Sequence, residues 1–159
     1  MRKRRATLTK KDLLRAYELG ERDFRDVILD NTDLAHTYLT GASFYGASLR
    51  NVNLTRAFLT HVQLKQANLT GASLSHASLN ATDLIGASFV EADLTHVDFT
   101  GACLARANCV GADLRFAYFG NATLAGSIFR NVRLGGSILS STYFDDMDVS
   151  AFCDCSDLT

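Results

Sequence analysis

Three of the four histidines, His36, His76 and His96, stand at multiples of twenty residues from one another, and two of the four cysteines form the triplet Cys153-Asp154-Cys155. Imidazole and thiolate are the usual ligands of zinc, and paired thiols also do redox chemistry. A metal centre needs three or four ligands that converge, and the triplet has no second pair to complete a zinc site. The thiols are therefore read as exposed and reduced, and no metal or cofactor is expected. No serine or cysteine is grouped with a histidine and an acid as a nucleophile would require, and no glycine cluster forms a phosphate-binding loop. These observations argue against an enzyme.

The elements that must position any site follow from a period of five. Stepping by five from Phe24 to Val149 gives 26 positions, all apolar: 17 Leu, seven Phe, Cys109 and Val149. Two residues before each of these centres stands a small side chain, apart from Arg22 and Met147: 13 Ala, five Val and six Ser or Thr. Five residues of a helix turn through about 500°, which would spread the centres around the cylinder. A flat strand would flip every centre to the opposite face, because a step of five is odd. The chain must instead reset its phase in each repeat by turning. The small residue and the centre then point inward, the residue between them points out, and the next two form a corner.

Glycine and proline agree with that geometry. Eight of the 11 glycines fall two after a centre, the third position of a β-turn, where a type II turn needs positive φ. Proline is absent, as expected where backbone N–H groups are used between neighbouring coils. Short polar residues dominate the position before each centre, where they can bond to nearby backbone.

With triplets such as Ala67-Asn68-Leu69, Ala92-Asp93-Leu94 and Ala112-Asp113-Leu114, the sequence resembles the pentapeptide-repeat family, whose motif is A(D/N)Lxx. The resemblance implies an all-β fold, a right-handed quadrilateral parallel β-helix with four repeats per coil. The spacing of the glycine corners does not itself fix four sides. With four, the rod is about 30 Å long at the usual strand spacing of about 4.8 Å. Stacking at twenty residues pairs Phe24 with Phe44 and Phe99 with Phe119. It also places His36, Arg56, His76, His96 and Phe116 in one exposed column, expected to be a solvated ladder.

The ends need covers, since a solenoid exposes strand edges there. Residues 1–8 form a basic tail, expected to be disordered; residues 9–20 form an N-terminal capping helix, with Thr9 as N-cap, Asp12 three residues later, an apolar face of Leu13, Leu14 and Tyr17, and Gly20 as stop. The segment from Leu13 to Phe24 is similar to the lead-in of cyanobacterial members of the family. Residues 21–150 are the β-helix and 151–159 a C-terminal tail or cap. Phe144, Met147, Val149 and Phe152 leave an apolar end, which either a homodimer through the last coil or the short tail of a monomer would cover.

Composition bounds the rest. The chain has 159 residues, 47% hydrophobic, a mean hydropathy of +0.04 and a net charge of -1. No apolar run or signal segment points to a membrane, and a cytoplasmic location is expected. Seven of the 16 basic residues lie in the first 20 positions, and between Leu34 and Phe144 seven basic residues face five acids. Nucleic acid is not the expected partner. The family resemblance also brings an alternative, a DNA-mimic inhibitor or protector of DNA gyrase. Imitating DNA needs rows of carboxylates, which a slightly basic middle lacks. The favoured reading is a non-enzymatic structural or protein-interaction module with an unnamed protein partner, its surface drawn from Tyr38, Phe58, Phe116, Tyr118 and Ile138.

Overall fold

The computed structural model describes residues 6–148. Every parallel bridge but one joins residues twenty apart, from Asp23 with Ser43 to Ile128 with Asp148, so four repeats close one coil. The chain is a quadrilateral β-helix. Its four faces are designated here by their first outward residue: Asp23, Ile28, Asp33 and Tyr38.

One repeat shows why the motif folds this way, because all five N–H groups of residues 92–96 are used. Ala92 closes the preceding turn on the Phe89 carbonyl at 3.0 Å, Asp93 donates to Ala72 in the coil before, and Leu94 and His96 donate to Asp113 and Arg115 in the coil after. The fifth N–H, that of Thr95, donates to the Asp93 carboxylate at 3.0 Å. Asp and Asn repeat this bond elsewhere, as in Asn68 with Thr70 and Asn108 with Val110. The polar residue before the centre thus satisfies the one donor that neither neighbouring coil accepts, and a proline at any of the five positions would remove a bond.

The corners all have one form. Among the described residues, each position two after a centre has positive φ, 17 of them without glycine and eight with it. Inside, every centre from Phe24 to Leu134 is buried. Phe24 stacks on Phe44 at 5.5 Å and Phe99 on Phe119 at 5.2 Å. Hydroxyls at the inward small position bond to carbonyls, Thr37 to Leu34, Thr82 to Leu59 and Ser127 to Leu124.

The first coil is covered by α1, Lys10–Glu18. Thr9 and Asp12 cap it reciprocally, Leu13 is fully buried, and the Tyr17 hydroxyl donates to the Thr40 carbonyl at 2.9 Å. Gly20, at φ +95°, donates to the Tyr17 carbonyl and turns the chain into the rod. The tail expected over 1–8 is corrected at its inner end. Thr7 bridges Ile28 and the Ile28 N–H donates to Ala6, because the first coil has strand groups to satisfy on that side. Residues 1–5, Val149, Phe152, the expected 151–159 cap and the cysteine triplet lie outside the described residues. Burial fades toward the other end, where Leu139 is half-buried and Phe144 is 47% exposed, since the described stack supplies no coil above it.

Candidate interaction surface

The Tyr38 face carries Tyr38, Phe58, Ser78, Asp98, Tyr118 and Ile138 in register, one per coil. Outward alternation within each repeat exposes them, and the twenty-residue coil brings them into line. Tyr38 is 66% exposed, and its ring lies parallel to that of Phe58 at 4.5 Å. Tyr118 and Ile138 are each nearly half exposed. Between the two apolar pairs, Asp98 accepts hydrogen bonds from the Asn80 amide at 2.7 Å and from the Thr100 hydroxyl and N–H. Partial burial pushes this carboxyl up, but the bonds from Thr100 and Asn80 outweigh it and hold Asp98 below the ordinary carboxylate range.

Phe116 stands on the corner before this face, not in the Tyr38 row. Its ring continues a stack in which His76 lies 4.5 Å from His96 and His96 4.8 Å from Phe116. Phe116 in turn leans over Gly136, where a Cβ would lie 2.5 Å from the ring. Of the expected column, His36, Arg56, His76, His96 and Phe116 are all exposed. The fourth histidine, His61, was not singled out from sequence; it stands on the corner after the Tyr38 face, two residues beyond Leu59. Its position in the repeat was the available signal.

Other chemistry-bearing groups do not converge. No group of three or more His, Cys, Asp or Glu side chains able to hold a metal occurs among the described residues. Cys103 faces outward from the Asp23 face, whereas Cys109 is a fully buried centre whose thiol is pushed up to about 12 by desolvation. A shallow depression over Gly111 is lined by Glu91, Asp93, Asp113, Arg115 and Arg133. There Asp113 pairs with Arg115 at 2.7 Å and Arg133 at 3.6 Å, so opposite charges are already matched. No helix among the described residues is long and apolar enough to cross a membrane.

Comparison with known proteins agrees with this architecture. A family model described as pentapeptide repeat region matches residues 52–129, and one described as pentapeptide repeats (8 copies) matches residues 23–56. Among solved structures, the pentapeptide-repeat protein Rfr23 from the cyanobacterium Cyanothece 51142 is 23% identical. The match covers 87% of this chain and 97% of that one, with a TM-score of 0.59. HetL, a pentapeptide-repeat protein involved in heterocyst differentiation regulation from the cyanobacterium Nostoc sp. strain PCC 7120, matches at 23% identity, over 89% and 95% of the two chains, with a TM-score of 0.26. QnrB1, a plasmid-mediated fluoroquinolone resistance protein, matches at 20% identity, over 79% and 64%, with a TM-score of 0.37. The likeness to Rfr23 concerns the fold, and the two lower scores carry no argument. No curated protein matches the sequence.

Proposed function

Because the chain belongs to the pentapeptide-repeat family of right-handed quadrilateral β-helices, we propose that it works as a non-enzymatic interaction module that presents its Tyr38 face to a protein partner. One observation carries this reading. Tyr38, Phe58, Phe116, Tyr118 and Ile138 are all 44–66% exposed on one side of a rod whose backbone is fixed by its own hydrogen bonds. Rigid exposed aromatic side chains lose little entropy on contact and are enriched in protein interfaces.

The DNA-mimic alternative draws less support. Among the described residues, Asp93 and Asp113 are the one pair of carboxylates stacked at the same repeat position in consecutive coils, and Asp113 is held by two arginines. A supercoiling assay with purified gyrase is expected to show no inhibition at low micromolar protein.

The face itself is tested by immobilising the chain beside a variant carrying Tyr38→Ser, Phe58→Ser and Tyr118→Ser. Proteins from the source organism retained by the first and lost by the second support the reading; identical retention by both sinks it. At the far end, with Phe144 exposed and Met147 partly buried, we infer that a second copy of the chain packs against the last coil.

A further inference from the structure

The four histidines of the chain all lie on the two corners that border the Tyr38 face, and all are exposed. His36, His76 and His96 share the preceding corner with Arg56, and His61 stands on the following one. Of the 12 carboxylates between Asp23 and Asp148, only Asp98 lies on this side, where Asn80 and Thr100 bind it. Across the corners, Asp33, Asp93 and Asp113 stand on the Asp33 face, and Asp83 and Asp23, the latter paired with Arg25, on the Asp23 face. Asp93 accepts from Thr95, Asp113 pairs with Arg115 and Arg133, and Asp83 accepts from the Ile85 N–H. Apart from Asp98, which sits in the row with Asn80 and Thr100 bound to it, the acids between Asp23 and Asp148 are turned away from the aromatic side chains, and the four histidines are gathered beside them.

We propose that this side docks an acidic protein segment, whose carboxylates draw protons from solvent onto the bordering histidines while its apolar side chains cover Tyr38, Phe58 and Tyr118. The inference rests on the face assigned above and adds the chemistry of its partner. A carboxylate brought beside an imidazole favours its charged form, so binding takes up protons and tightens as pH falls through the histidine range. Nucleic acid is the poorer match. Neutralising a phosphate backbone needs several lysines or arginines, and this side offers Arg56, an Arg115 already bound to Asp113, and no lysine.

The test uses the full chain and fluorescence anisotropy with three labelled probes: a peptide of alternating glutamate and leucine, its lysine–leucine counterpart, and a thymidine oligonucleotide. Glutamate remains ionised at both of the pH values compared, about 6 and about 8. The acidic peptide is expected to bind at least about fivefold more tightly at the lower pH. Replacing the four histidines with glutamine removes that gain, so the variant binds no more tightly at the lower pH than at the higher. Glutamine is compatible with the corner, since Gln66 occupies the same repeat position at φ 59°. Failure of the acidic peptide to bind, an unchanged pH response in the glutamine variant, or tighter binding of the oligonucleotide each overturns the inference. The Tyr38→Ser, Phe58→Ser, Tyr118→Ser variant separates the two levels. If it loses binding while acidic and basic peptides bind alike, the face stands and the acidic partner falls; if it binds as the unmodified chain does, the face falls as well.

Discussion

Gly101 and Gly136 occupy the same repeat position with almost the same backbone, φ +68° and +70°, but different surroundings. A Cβ on Gly101 would meet nothing within 4 Å, whereas one on Gly136 would press into the Phe116 ring at 2.5 Å. Gly101→Ala should therefore cost only the left-handed conformation, about 1 kcal/mol, and Ala81 already lives with φ 52°. Gly136→Ala should cost at least about 1 kcal/mol more, because Phe116 must leave its stack on His96. Urea unfolding of the two variants decides it, and equal losses would show that the ring gives way freely. Carboxylates make a second residue-scale prediction. Arg115 holds the Asp113 carboxyl below its ordinary range, and the bonds from Thr100 and Asn80 do the same for Asp98 against partial burial. A group whose folded pKa is depressed adds stability above its unfolded value, and that stability is lost as pH falls through the folded value. Melting temperature should be flat above about pH 5 and decline below it. Asp98→Asn keeps an acceptor for the Thr100 N–H, as Asn108 does for Val110, and should flatten part of that decline; an unaltered acid limb in the variant would remove Asp98 from the explanation.

At the scale of the element, α1 and the coils draw on different sources of stability. The helix has nine residues, too few to persist alone, so it depends on its cap and on Leu13, which is fully buried against the first coil. Thr9→Ala removes the hydroxyl that accepts from the Asp12 N–H and donates to the Asp12 carboxylate, leaving only the backbone half of the cap, and should lower the melting temperature by a few degrees. The coils depend on the depth at which each centre is packed. Leu74→Ala, in mid-rod with no exposure, should cost about 2–5 kcal/mol. Leu139→Ala, at a half-buried centre, should cost clearly less. Denaturant melts that rank the two in the opposite order would contradict a core that fades toward the C-terminal end. The sequence showed both elements for physical reasons: Thr9, Asp12 and Gly20 mark a helix by their hydrogen-bonding and φ preferences, and the period of five cannot be a helix or a flat strand. It did not show that residues 6–8 continue as strand, because backbone pairing leaves no side-chain pattern. Nor did glycine reveal that all the described corners turn alike, since His, Asn, Arg and even Phe116 accept positive φ when four surrounding N–H bonds hold the turn.

For the molecule as a whole, the inward row was legible because burial demands apolar side chains, whereas the size of the coil was not, because any multiple of five leaves that row intact. Once each coil is twenty residues, the aromatic row, the histidine corner and Phe116 fall into place from their numbers alone. Their ring stacking does not, since it depends on how far each side chain leans along the rod. The same stacking gives the last described coil apolar side chains: Ile138, Tyr143 and Phe144 are 45%, 68% and 47% exposed. Exposed apolar side chains gathered on one coil are the kind of surface that draws a second chain onto it. Light scattering at high micromolar concentration should accordingly report about twice the 17.3 kDa of one chain, relaxing to one chain on dilution as mass action requires. Phe144→Asp sets a carboxylate against the same surface of the partner copy, where two like charges would meet across the two-fold axis, and should hold the protein at 17.3 kDa throughout. Because Phe144 is already exposed, the substitution leaves the buried centres untouched and the melting curve should shift little. A 17.3 kDa species for the unmodified chain at the highest concentration would remove the end-to-end dimer and leave the Tyr38 face as the rod's one proposed contact.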